Sequence, residues 1–224
     1  MYGMRLIKFA EGEYYHVCSR STDQKQLFFD DVDKARFLFL ILHFQSPTPI
    51  HNTGWYAHSF LKKQVYAPTK SKLSDILKTR YIELVAFAMM PNHFHLLLKN
   101  MEDQILSIYM HRVLTAYSKY FATKYKKPGH VFQGPFRAVH IKNNVQLLHT
   151  SAYIHKNPID IKELGNDILN YQWSSYQDYV STNRWGKLLE TKIVSEQFNN
   201  QNAYRNFVET SMAKEKIPWL DTSN

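Results

Sequence analysis

Two histidines, a tyrosine and an asparagine stand at spacings that could bring a hydroxyl nucleophile to a metal ion. His93 and His95 lie within Leu84-Val85-Ala86-Phe87-Ala88-Met89-Met90-Pro91-Asn92-His93-Phe94-His95-Leu96-Leu97-Leu98-Lys99. This stretch reads as an apolar strand, a tight turn at Pro91-Asn92 and a second apolar strand. Residues i and i+2 of a strand project from one face, so the two imidazoles point the same way and Phe94 points to the other side. Such a pair is half of a metal site, or two hydrogen-bonded histidines at a sheet surface.

The downstream partner is Tyr153-Ile154-His155-Lys156-Asn157-Pro158, the end of a helical pattern that begins near Asn144. Residues four apart share a helix face, so His149, Tyr153 and Asn157 form a polar stripe among Val145, Leu148, Ala152 and Ile154. Pro158 stops the helix. A phenol and an amide oxygen one turn apart could therefore face both histidines. Tyr153 is one of 15 tyrosines, and buried tyrosines usually just fill cores, so alone it has no special claim. His149 could orient the tyrosine or a water, or serve structure alone. His155 should point away.

Pro91-Asn92-His93-Phe94-His95 together with Tyr153-Ile154-His155-Lys156-Asn157-Pro158 resembles the single-tyrosine transposases of the IS200/IS605 type, among the HUH (His-hydrophobic-His) nucleases. Further matches resemble the REP-associated tyrosine transposase branch: Tyr15-His16-Val17-Cys18-Ser19-Arg20, the stretch from Phe29 to Leu38, the stretch from Gly129 to Arg137, and Trp173-Ser174-Ser175-Tyr176. They run in order over most of the chain. The resemblance implies a metal-dependent single-stranded DNA endonuclease and transposase that cleaves and rejoins DNA at hairpin-forming repeats. In that scheme Tyr153 attacks phosphorus, giving a 5′-phosphotyrosine and a 3′-hydroxyl and conserving an ester bond. His93 and His95 would hold Mg2+ or Mn2+, with Asn157 as candidate third ligand; spacing does not exclude Zn2+. Some relatives carry a carboxylate two residues before the first histidine. Here that position is Pro91, so a neutral inner shell and weak affinity are expected.

Charge agrees with a polyanionic partner. Lys and Arg number 28 against 19 Asp and Glu, for a net charge of +9 and a pI near 9.4. Lys119 to Lys142 holds six cations and no acid, interleaved with aromatic residues, a composition suited to single-stranded DNA. The candidate DNA-binding residues are Arg20, Lys124, Lys126, Lys127, Arg137 and Lys156. A second basic patch spans residues 61 to 80. No apolar run approaches a membrane span and no secretory signal is evident, so a cytoplasmic protein is expected. Cys18, the sole cysteine, reads as core. Two other readings stay open: a non-catalytic binder of structured single-stranded DNA or RNA, and a metal-dependent hydrolase of small phosphoesters. A monomer and a homodimer are equally compatible.

The elements that must position these residues are legible as patterns. Residues 13 to 20 read as a strand; Asp30 and Asp31 open a helix; residues 45 to 70, rich in proline and polar residues, read as an insertion or long loop. A short basic helix over 71 to 80 precedes the histidine hairpin, a long amphipathic helix runs from Asp103 to about Lys126, and residues 136 to 142 alternate as a last strand. The expected class is α+β, a small antiparallel sheet with helices on one face, in the ferredoxin-like layout the resemblance implies. Residues 1 to 160 would form that domain and 161 to 224 a C-terminal helical extension, with helical patterns near 173 to 181, 187 to 198 and 202 to 212 and a frayed end.

Overall fold

Local signals account for the main elements of the computed structural model, which describes residues 8–49, 51–63, 68–127, 129–165 and 167–212. Strand β1 is Tyr14–Arg20. Helix α1, Asp31–His43, opens on a capping box: the Asp30 carboxylate accepts from the Asp33 amide at 2.9 Å, and the Asp33 carboxylate accepts from the Asp30 amide. Strands β2, Ile82–Met90, and β3, His93–Asn100, are joined by the Pro91-Asn92 turn, which sets Met90 opposite His93. Helix α4 is Ile105–Tyr125 and strand β4 is Arg137–Ile141. Helix α5, Asn144–Lys156, is capped by the Asn143 side chain, which accepts from the Gln146 amide at 2.9 Å.

The four strands form one antiparallel sheet in the order β2-β3-β1-β4, the ferredoxin-like arrangement expected. One face carries Val17, Phe94, Leu96 and Leu98 and packs against α1 and α4. These are the helices expected on one face. The other face is covered as well. It carries Ala86, Ala88 and Leu97, which are apolar and are buried by α5 and the C-terminal extension. A sheet apolar on both sides needs two layers over it.

Two stretches differ from expectation. Within residues 45–70 lies a helix, α2, Thr53–Lys63, which buries Ala57 and Phe60; Phe60 meets Phe39 of α1 at 5.9 Å between ring centroids. Residues 50 and 64–67 of that stretch lie outside the described residues. The basic helix α3, Lys70–Lys78, forms as read. In the extension, α6 is only Tyr176–Val180, the pattern at 187–198 yields a 3-10 turn at Gly186–Leu188 and one α-helical turn, α7 (Lys192–Ser195), and α8 is Gln201–Thr210. The expectation of a frayed end concerns residues outside those described.

The extension also closes the open edge of β2. Met89 donates its amide to the Trp173 carbonyl at 2.9 Å, and Ser175 donates to the Phe87 carbonyl at 2.9 Å. Covering an edge strand this way blocks pairing with other chains. Among the described residues, no helix is long and apolar enough to cross a membrane.

Candidate active site

The register of the sheet assembles the site. In β3, His93 and His95 share the face turned toward α5, with ring centroids 4.9 Å apart and planes at 88°. In β1, Cys18 lies opposite His95 and Arg20 opposite His93; in β4, Arg137 lies opposite Cys18. Directly opposed residues of antiparallel strands point to the same side. Both histidines, Arg20 and Arg137 therefore share one face.

His16 joins them, and sequence reasoning had not singled it out. Its Nε2 lies 2.9 Å from the Nδ1 of His95, and the rings stack at 5.1 Å. Burial pushes the His16 imidazole down to about 4, so it is neutral near pH 7. The available signal was the alternation His16, Cys18, Arg20 along one strand. Which histidine it would meet depends on register across the sheet.

Helix α5 crosses this face and delivers Tyr153. Its ring stands edge-on to His95, at 5.4 Å and 90°, and to His16, at 5.7 Å and 76°. Tyr153 is 8% exposed. Asn157, 3% exposed, caps the helix and donates its Nδ2 to the Tyr153 carbonyl at 3.0 Å, so its Oδ1 is the amide atom suited to a ligand.

The histidines are oriented as ligands commonly are, through the nitrogen not used for ligation. The Asn92 amide is fixed by donation from its Nδ2 to the Gln24 carbonyl at 3.2 Å, so Oδ1 accepts from His93 Nδ1 at 2.7 Å. His93 thereby presents Nε2. His95 likewise uses Nδ1 on His16. Among the described residues, no group of three or more His, Cys, Asp or Glu could hold a metal. Any third position falls to an amide, a water or the phosphate itself.

His149 and His155 serve packing. His149 lies against Phe207 of α8 at 5.4 Å. His155 points away from Tyr153, as expected, and is held by the hydroxyls of Tyr204 and Ser175, each at 2.7 Å.

The predicted cations divide. Arg20 and Arg137 flank the histidines. Lys126 and Lys127 are exposed where α4 ends, and Lys127 lies over the Phe29 ring at 5.4 Å. Two others are already engaged. Lys124 bonds both oxygens of Asp30, at 2.8 and 2.7 Å, and Asp33 at 2.7 Å, tying α4 to the start of α1. Lys156 donates to the carbonyls of Glu209 and Ser211, at 3.2 and 2.7 Å, and closes the end of α8. Both were read as candidate DNA contacts, and in the fold each ammonium is hydrogen-bonded to carboxylates or carbonyls distant in sequence.

With this geometry in view, the comparisons with known proteins are specific. Residues 52–157 match the family model described as "Transposase IS200 like". A solved structure of a REP-associated tyrosine transposase bound to a REP hairpin is similar at a TM-score of 0.52 and 14% identity. The match covers 87% of this chain and 94% of that one. No curated protein matches the chain.

Proposed function

We propose that this chain, which is similar to the IS200-like transposase family over residues 52–157, cleaves and rejoins single-stranded DNA with Tyr153 as nucleophile. The observation that carries the reading is the approach of Tyr153 to His95 and His16 on the face shared with His93, Arg20 and Arg137. The Tyr153 hydroxyl oxygen attacks phosphorus, the bond from phosphorus to the 3′ oxygen breaks, and the phenolic proton is passed to that oxygen. A 5′-phosphotyrosine and a 3′-hydroxyl result, and a second DNA end can reverse the step without ATP.

Nε2 of His93, Nε2 of His95 and Oδ1 of Asn157 would hold Mg2+ or Mn2+; the two oriented imidazoles fit that role, and a set with no carboxylate implies weak binding. When bound, the ion draws charge from a non-bridging phosphate oxygen. Arg20 and Arg137 grip the backbone on either side, and Lys126 and Lys127 extend that grip. The hairpin held by the similar solved structure supports a hairpin as this chain's DNA.

The test is incubation of the full chain with labelled single-stranded hairpins, with and without Mn2+, followed by a denaturing gel. A metal-dependent, denaturant-resistant adduct is expected. Tight binding without any adduct, unchanged in His93→Ala, would move the assignment to a non-catalytic binder.

A further inference from the structure

His155 and the stretch Trp173-Ser174-Ser175-Tyr176 meet behind the helix that carries Tyr153. The Phe87 amide of β2 donates to Ser175 Oγ at 2.9 Å, and Ser175 Oγ lies 2.7 Å from His155 Nε2. His155 Nδ1 lies 2.7 Å from the Tyr204 hydroxyl of α8, Tyr204 donates to Ser151 Oγ at 3.1 Å, and Ser151 donates to the Leu148 carbonyl at 2.7 Å. Five hydrogen bonds therefore run without a break from the backbone of β2 to the backbone of α5. Ser175, His155, Tyr204 and Ser151 are all buried.

The proton positions follow from the donors available. Ser151 gives its proton to Leu148 and Tyr204 gives its proton to Ser151, so the Tyr204 oxygen accepts from His155 Nδ1. The ring is buried and neutral, so Nε2 is an acceptor. Its donor is the Ser175 hydroxyl, which is nearer to Nε2 than to the Phe87 carbonyl, 2.7 against 3.2 Å. Each group donates once in the same direction, and removing one leaves buried neighbours unsatisfied.

Both ends of the series bear on the geometry of attack. Phe87 precedes Ala88, the residue paired with His95 across the sheet. Ser151 and His155 lie four apart on one line of α5, while Tyr153 between them is on another face, with its ring 5.4 Å from that of His95. Tyr179, edge-on to His155 at 4.8 Å, donates its hydroxyl to the Val85 carbonyl at 2.7 Å and ties the cluster to β2 a second time. The helix cannot turn about its axis or slide along the sheet without breaking the series. A displacement of about 1 Å at a reacting atom can slow a reaction about 100-fold.

We infer that this series, with His155 as its central positioning residue, fixes the nucleophile helix over the histidines and so holds the Tyr153 hydroxyl where it can attack phosphorus. Ser175 and Tyr204, both from the C-terminal extension, thereby set where the nucleophile stands. The inference rests on Tyr153 being the nucleophile, as read above.

The test measures single-turnover adduct formation by the full chain at saturating hairpin and Mn2+, beside hairpin affinity by fluorescence anisotropy, with folding checked by thermal melting. Tyr204→Phe keeps the ring and removes one oxygen of the series. Ser151→Ala breaks the series at its α5 end and serves as the second variant. Both are expected to slow adduct formation about 10- to 100-fold with hairpin affinity unchanged. His155→Phe/Tyr204→Phe should be no slower than His155→Phe alone, because the two residues act as a unit. Tyr109→Phe removes an equally buried hydroxyl, one that donates to the Ile41 carbonyl in the other helical layer, and should leave the rate unchanged. A wild-type rate in either Tyr204→Phe or Ser151→Ala, equal slowing in Tyr109→Phe, a loss of affinity that matches the loss of rate, or additive losses in the double variant would overturn the inference while leaving the nuclease reading in place. If wild type forms no adduct, the nuclease reading falls and amide hydrogen exchange decides the positioning role by itself. Exchange across α5 should quicken about fivefold or more in Tyr204→Phe while α4 is unchanged, and unchanged exchange in α5 would overturn it.

Discussion

The Nε2 of His16 lies 2.9 Å from the Nδ1 of His95, joining two buried, stacked rings that are 79 positions apart in the chain. One proton lies between them. For His95 to ligate through Nε2, its own proton must sit on Nδ1 and be donated to His16. That places the His16 proton on its Nδ1, a buried atom with no hydrogen-bond partner. His16 therefore sets the tautomer of His95, in the way outer partners of ligating histidines do. His16→Phe should weaken Mn2+ binding about 10- to 100-fold, read by electron paramagnetic resonance titration. His16→Gln, whose amide oxygen can accept, should keep most of the affinity. Wild-type Mn2+ affinity in the Phe variant would contradict the assignment.

The two arginines beside the histidines should act on DNA. Arg20→Ala and Arg137→Ala are each expected to weaken hairpin binding and to lower the slope of log affinity against log salt by about 0.7. Anisotropy at several salt concentrations reads both quantities. A slope unchanged in either variant would remove that residue from the interface.

Lys124 should behave in the opposite way. Asp33 is fully buried, and its carboxylate accepts from Tyr120 at 2.7 Å and Tyr125 at 2.5 Å as well as from Lys124. Removing the ammonium leaves a buried charge short of its counter-ion, at about 3 kcal/mol. Lys124→Ala should lower the denaturant midpoint accordingly and leave hairpin affinity unchanged. Weaker binding with wild-type stability would return Lys124 to the DNA surface.

Stability should fall in mild acid. Burial pushes His43 and His155 each down to about 3 in the folded chain, whereas an unfolded histidine titrates near 6.5. Below pH 6.5 the unfolded chain therefore binds more protons than the native one. The stabilisation is fully present above about pH 7 and is lost progressively from pH 6.5 down toward pH 3, with a limiting slope of about 1.4 kcal/mol per pH unit for each histidine. Urea midpoints at pH 7.5, 6 and 5 should fall in that order. A flat profile would mean that these rings are hydrated in the native state.

What was legible in the sequence was what short-range pattern encodes. The strand pair around Pro91-Asn92, the Asp30 cap, the long helix before Lys126 and the helix bearing Tyr153 all formed within a few residues of expectation, because alternation, helical periodicity and capping are local. The helix at Thr53–Lys63 was masked by surrounding prolines and glycine, and it forms around contacts such as Phe60 on Phe39 that no local pattern reveals. His16 was out of reach because its value depends on register. The hydrogen bonds of Lys124 to Asp30 and of Lys156 to Ser211 span 94 and 55 residues, so composition could not show them. His93, His95, Arg20 and Arg137 converge because sheet pairing fixes them together once the strands are placed.

The most direct measurement is where DNA attaches. The chain is incubated with a labelled hairpin and Mn2+, digested, and the nucleotide-bearing peptide sequenced by mass spectrometry. The account predicts a 5′-linked nucleotide on Tyr153 alone, absent from Tyr153→Phe. Attachment at another tyrosine, or cleavage that persists in Tyr153→Phe, would contradict it.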